Sequence, residues 1–105
     1  MDKIFYVEGR ARMAALALAS GKDLKARLED AHSALAAIQP SDFAERHMRE
    51  RFTQIFDRFS SVQDREGHYL EDTLASMSPA DAEGLAEDVI EFGLELTQKV
   101  ARLDR

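Results

Sequence analysis

Residues 78–103 read SPADAEGLAEDVIEFGLELTQKVARL, and this stretch decides the fold. Ser78 is a good N-cap, Pro79 supplies a preset φ at the first helical position, and Asp81 places a negative charge where the helix dipole favours one. From there Leu85, Val89, Phe92, Leu96 and Leu103, interrupted by Lys99, recur at helical spacing and lay one stripe toward a core. The spacing predicts a helix over 79–103.

The same stepping appears upstream. Met48, Phe52, Ile55, Phe59 and Val62 form an aromatic-rich seam on a helix that opens at Ser41 or Asp42, with Glu45 at capping-box distance from Asp42. Glu66 then falls where the seam needs an apolar residue, Gly67 follows, and the apolar set shifts to Leu70, Leu74 and Met77. A helix over 42–77 with a kink or break near Gly67 is expected. Leu24, Leu28, Ala31, Leu35 and Ile38 make a third seam, over 22–38, that ends at Pro40. Before it, a helix over 2–19 should close at Gly21 in the left-handed conformation, with Ser20 and Asp23 placed to start the next. No segment sustains the alternation of a half-buried strand. The chain has 105 residues, 45% of them apolar, enough for one core. Short connections force successive helices to run antiparallel, so the expected fold is all-α, a single-domain up-down four-helix bundle.

Charge is distributed unevenly. From Glu66 to Gln98 there are nine carboxylates and no Lys or Arg, whereas the whole chain carries a net charge of −6. Such a field repels phosphate backbones, so direct nucleic-acid binding is disfavoured. Part of the stripe has a structural use. Arg51, Arg58 and Arg65 share one flank of their seam, and Asp88 and Glu95 the matching flank of the last helix. Arg65 with Asp88 and Arg58 with Glu95 then fall in one antiparallel register, at the cost of setting Arg51 beside Arg102. Glu83, Glu87, Glu91 and Glu95 remain successive i,i+4 neighbours of like charge, a repulsion that a basic partner would relieve. Glu83, Glu87, Asp88, Glu91 and Glu95 are therefore the candidate partner-binding residues.

Every residue from Met13 to Ala19 is apolar, so the first helix is expected to be surrounded by protein. In so small a chain that implies the bundle centre or a homodimer, with Met13, Leu16 and Leu18 as candidate dimer contacts. The run is far shorter than the ~20 residues of a membrane span. No signal-like N-terminus appears, and the absence of cysteine fits a reducing compartment, so the expectation is a cytoplasmic protein.

Catalytic patterns are sparse. A di-iron bundle needs two Glu-x-x-His pairs and two further inward Glu residues, and only Glu29 with His32 matches. Arg27 and His32 have the helical spacing of some ribonucleases, a coincidence that ten arginines and three histidines make commonplace. His47 and His68 fit surface or cap roles. No cofactor is implied. The expectation is a non-catalytic interaction module that binds a protein, a basic one being the natural match, through its acidic last helix. The alternative is an inhibitor or immunity-type protein that mimics phosphates with carboxylates, and more remotely a helical nuclease or hydrolase.

Overall fold

The last helix starts as its residues dictate: the Asp81 N–H donates to Ser78 Oγ at 3.1 Å, and α5 runs Pro79–Leu103. The computed structural model describes residues 3–60 and 69–103. Within them lie four further α-helices, α1 (Ile4–Ala17), α2 (Leu24–Leu35), α3 (Arg46–Asp57) and α4 (Tyr69–Ser76), and single 3-10 turns at Pro40–Asp42 and Arg58–Ser60. No strand occurs among the described residues. The fold is all-α.

Capping chemistry moves the predicted boundaries. Asp23 is the N-cap of α2, its Oδ1 accepting from the Ala26 N–H at 3.0 Å, so the helix begins at Leu24 rather than Lys22. Gly21 is not left-handed. Instead α1 tightens at its end, where the Leu18 N–H is shared between the Ala14 and Ala15 carbonyls at 3.3 and 3.2 Å. Arg27 then closes the connection, donating to the Leu18 and Lys22 carbonyls at 2.8 and 2.9 Å. Asp42 is engaged in the 3-10 turn, accepting from the Gln39 N–H at 2.9 Å, and α3 starts only at Arg46. At its other end α3 passes into the turn Arg58–Ser60, and α4 is a separate short helix, so 42–77 is not one rod. The break expected near Gly67 lies outside the described residues, as does Val62.

Helix α1 packs between α2 and α5. Against α2 it runs antiparallel: Tyr6 OH donates to the Ala37 carbonyl at 3.3 Å, and Arg10 to those of Ala34 and Ser33 at 2.9 and 3.3 Å. Against α5 it also runs antiparallel, with Thr97 Oγ1 donating to Glu8 Oε2 at 3.2 Å and Gly93 seated on Ala11 and Ala15. Leu28, Ala31 and Leu35 of α2, Met48, Phe52 and Ile55 of α3, Phe59, and Leu85, Val89, Phe92 and Leu96 of α5 fill the core with Val7, Ala11, Ala14 and Leu18 of α1. Phe43, Phe52 and Phe92 form its aromatic centre, with ring centroids 5.6–6.1 Å apart. Leu103, expected in the seam, is 60% exposed, because α5 outlasts its antiparallel neighbour, which begins only at Ile4. No helix among the described residues is long and apolar enough to cross a membrane.

Candidate functional site

One flank of α5 carries carboxylates that meet the cations of α3. Asp88 is bound by Arg58. Arg51 reaches Glu95 at 3.3 Å and Glu91 at 3.8 Å, and His47 Nε2 approaches the other Glu95 oxygen at 3.4 Å. Lys99 donates to both oxygens of Glu45, at 2.9 and 3.1 Å, which carries the ladder to the end of α5. The helices are antiparallel as expected, but the pairing has slid by one heptad: Arg58 meets Asp88 instead of Glu95, and Glu95 takes Arg51. The physical reason is the chain between them. The register expected from the sequence takes one helix over 42–77, kinked or broken only near Gly67, whereas α3 ends at Asp57 and α4 folds separately, which frees the register. The slide also gives Arg51 two acidic neighbours where Arg102 had been expected. Arg65 lies outside the described residues.

The five candidate carboxylates thus divide. Asp88 and Glu95 are half-buried and paired within the protein, and Glu91 is exposed but within reach of Arg51. Glu83 and Glu87 are exposed and have no ion-pair partner among the described residues. Both project from the side of α5 that faces away from the core, with Ile90 and Leu94, which are 37% and 57% exposed. Reasoning from the sequence missed these two residues because it followed only the core seam. The signal was present: Glu83, Glu87, Ile90 and Leu94 step by helical intervals on a second face.

The expected dimer contacts divide as well. Met13 and Leu16 of α1 are 52% and 65% exposed, whereas Leu18 is 4% exposed and belongs to the core, since it continues the inward spacing of Val7, Ala11 and Ala14. Helix α1 is therefore not enclosed all round. Arg12 stands 3.6 Å from Glu8, the carboxylate that accepts from Thr97 of α5.

Two other features that could carry chemistry, His32 and a surface cleft, are made of residues with structural partners. His32 is half-buried, stacked on Phe56 with ring centroids 5.1 Å apart, and burial holds its pKa below the usual histidine value of 6.5. A neutral imidazole on a phenyl ring is a packing element. A 390 Å³ cleft lies between Lys3, Tyr6, Ala37, Gln39 and Asp42, where Lys3 stands 3.5 Å from Asp42 and Tyr6 OH donates to the Ala37 carbonyl. No three His, Asp or Glu side chains converge as a metal ion requires among the described residues. No protein-family model, curated protein or solved structure matches the chain.

Proposed function

We propose that this chain is a non-catalytic interaction module that docks a protein partner on the outward face of α5. The observation that supports this is the coincidence, on one exposed helix face, of two carboxylates without ion-pair partners among the described residues, Glu83 and Glu87, and two exposed aliphatic side chains, Ile90 and Leu94. A merely solvated surface needs no such aliphatics, and a buried one would not keep the acids. Together they offer an apolar centre with an anionic end, which selects a partner surface of matching greasiness and positive charge. The scaffold is read as an up-down arrangement of α1, α2, α3 and α5 with α4 added, supported by the contacts of Tyr6 with Ala37, Thr97 with Glu8 and Arg51 with Glu95.

The ladder to α3 weighs against phosphate mimicry. An imitation of a nucleic-acid backbone needs a row of free anions, and here Asp88, Glu91 and Glu95 are drawn toward Arg58 and Arg51. Photo-crosslinking from positions 87 and 94 in cells, followed by reconstitution with the purified captured protein, tests the docking reading. Reversing Glu83 and Glu87 should weaken that complex and flatten its salt dependence, and Leu94→Ala should weaken it at every salt concentration. Neutralising Asp88 or Glu95 should lower stability with little change in binding. If position 53 on the far side of α3 captures the same protein while 87 and 94 do not, the proposal is wrong.

A further inference from the structure

At about 100° per residue, Glu83, Glu87, Ile90, Leu94 and Ala101 fall within about 60° of one another around α5, on the side opposite the core seam of Leu85, Val89, Phe92 and Leu96. All five are exposed. Thr97, which donates to Glu8 of α1, marks one border of this strip, and Glu91, 3.8 Å from Arg51 of α3, marks the other. The strip changes character along its length of about 27 Å. Glu83, Glu87 and Glu91 give its first half three exposed carboxylates, of which Glu83 and Glu87 have no ion-pair partner among the described residues and Glu91 shares Arg51 with Glu95. Ile90 and Leu94 form an apolar ridge one turn long, and Thr97, Gln98 and Ala101 beyond them are uncharged. Arg102 instead lines a cleft with Ile4, Glu45 and Lys99.

We infer that the partner docked on this strip is an amphipathic helix whose Lys and Arg residues are gathered at the end that lies over Glu83, Glu87 and Glu91. The inference rests on the docking face proposed above and names what occupies it. Two aliphatic side chains one turn apart on a helix make a ridge that the i, i+3, i+4 and i+7 side chains of a second helix can straddle. Other common modes of recognition are not open to this face. No strand exists among the described residues for an extended segment to join, and the strip carries no aromatic ring on which a proline-rich segment could dock.

Charge sets the rest. Glu83, Glu87 and Glu91 repel one another at i,i+4 spacing, and cations one turn apart on a partner helix relieve that repulsion while meeting each carboxylate in succession. Over Thr97, Gln98 and Ala101 a cation gains nothing, so the partner's charge belongs at one end. A second copy of the strip lacks such cations, and anionic lipid or nucleic acid is repelled by the acids.

The test uses the purified full chain and, as probes, three synthetic helical peptides of about 18 residues, the length of the strip. The first carries Leu at i, i+3, i+4 and i+7 and a cluster of Lys at one end. The second replaces each Lys by Glu, and the third scrambles the order of the first so that the apolar stripe is lost. By fluorescence anisotropy the first should bind at least ~10-fold more tightly than either of the others. Leu94→Ser should weaken its binding at least ~10-fold at every salt concentration. Glu83→Gln, Glu87→Gln and Glu91→Gln together should weaken it at low salt and flatten its salt dependence, and Met13→Ser on α1 should leave it unchanged. All of these residues lie outside the core, so the helical circular dichroism of each variant should match wild type. A spin label on the Lys end of the peptide should broaden the amide signals around Glu83, and one on the other end those around Ala101.

Equal affinity for the Lys and Glu peptides, or for the ordered and scrambled ones, overturns the inference, and so does broadening in the reverse order. A wild type that runs at twice its 11.8 kDa mass until Leu94→Ser is introduced puts a second copy on the strip and overturns it as well. A partner captured from positions 87 and 94 and reconstituted, but seated through a segment that is not helical or that carries no cations at one end, keeps the docking face and loses this occupant. Capture from position 53 alone removes the docking face itself.

Discussion

Gly93 of α5 lies so close to Ala11 of α1 that a Cβ carbon placed on it would stand 3.2 Å from the Ala11 carbonyl oxygen and 3.5 Å from the Ala15 Cβ. The absence of a side chain there sets how near the two helices come, and with it how α5 is held while its other face stays exposed. Gly9 in α1 is the contrasting case, since a Cβ there meets nothing within 4 Å.

The contrast makes a paired prediction for chemical denaturation. Gly9→Ala should stabilise the protein by about 0.5–1 kcal/mol, the ordinary helix-propensity gain. Gly93→Ala should stay within about 1 kcal/mol of wild type, because the same gain is offset by the tight contact with backbone that can move only with its helix. Gly93→Val adds bulk with nowhere to go and should cost about 1–3 kcal/mol. A stabilising Gly93→Val would mean that α1 and α5 are not packed at this distance.

Arg10 offers a second test of how α1 is fastened. Its guanidinium donates to the Ala34 and Ser33 carbonyls, among the last carbonyls of α2, which lack partners within the helix. Arg10→Met keeps the aliphatic stem and removes both donors, and should lower stability by about 1–2 kcal/mol. Arg10→Lys, with a point charge in place of a planar fork, should recover only part of it. Hydrogen exchange should show the loss first in the final turn of α2.

The ion-pair ladder predicts which couplings exist and which do not. Double-mutant cycles should return about 0.2–1 kcal/mol for Arg58 with Asp88 and for Arg51 with Glu95, and nothing measurable for Arg58 with Glu95. All four side chains are partly exposed, so added salt should shrink both couplings. A coupling between Arg58 and Glu95 equal to the other two would restore the register expected from the heptad spacing alone.

That register marks the boundary of what could be read from spacing. The inward residues were legible because helical periodicity is local: Leu28, Ala31 and Leu35, then Phe52, Ile55 and Phe59, then Leu85, Val89, Phe92 and Leu96 all reach the core. The start at Ser78 was legible for the same reason. How α3 slides along α5 depends on the path of the chain from Asp57 to Pro79, and periodicity does not encode that path. Leu18 and Leu103 were misplaced for a related reason, since an apolar residue faces inward only where another element lies opposite. The candidate site was half legible. Acid density drew attention to α5, but which acids are free depends on where Arg51 and Arg58 land, and Ile90 and Leu94 emerged only once the core face had been claimed by other residues.

His32 gives the pH dependence its sign. Stacked on Phe56 and tilted against Phe59, it is half-buried, and burial alone lowers its pKa below 6.5 in the folded protein. In the unfolded chain it titrates near the usual value. Above about pH 7.5 both states hold it neutral and it takes no part in stability changes. As pH falls through 6.5 the unfolded chain binds a proton that the folded protein resists, so stability is lost until the pH drops below the folded value. Wild type should therefore lose more melting temperature between about pH 7.5 and about pH 5 than His32→Gln does, a difference that isolates this residue from His47, His68 and the carboxylates. The imidazole resonances of His32 should titrate below 6.5 by NMR. A midpoint above it would show that the imidazolium gains more from the face of Phe56 than it loses by leaving water, and would reverse the predicted slope.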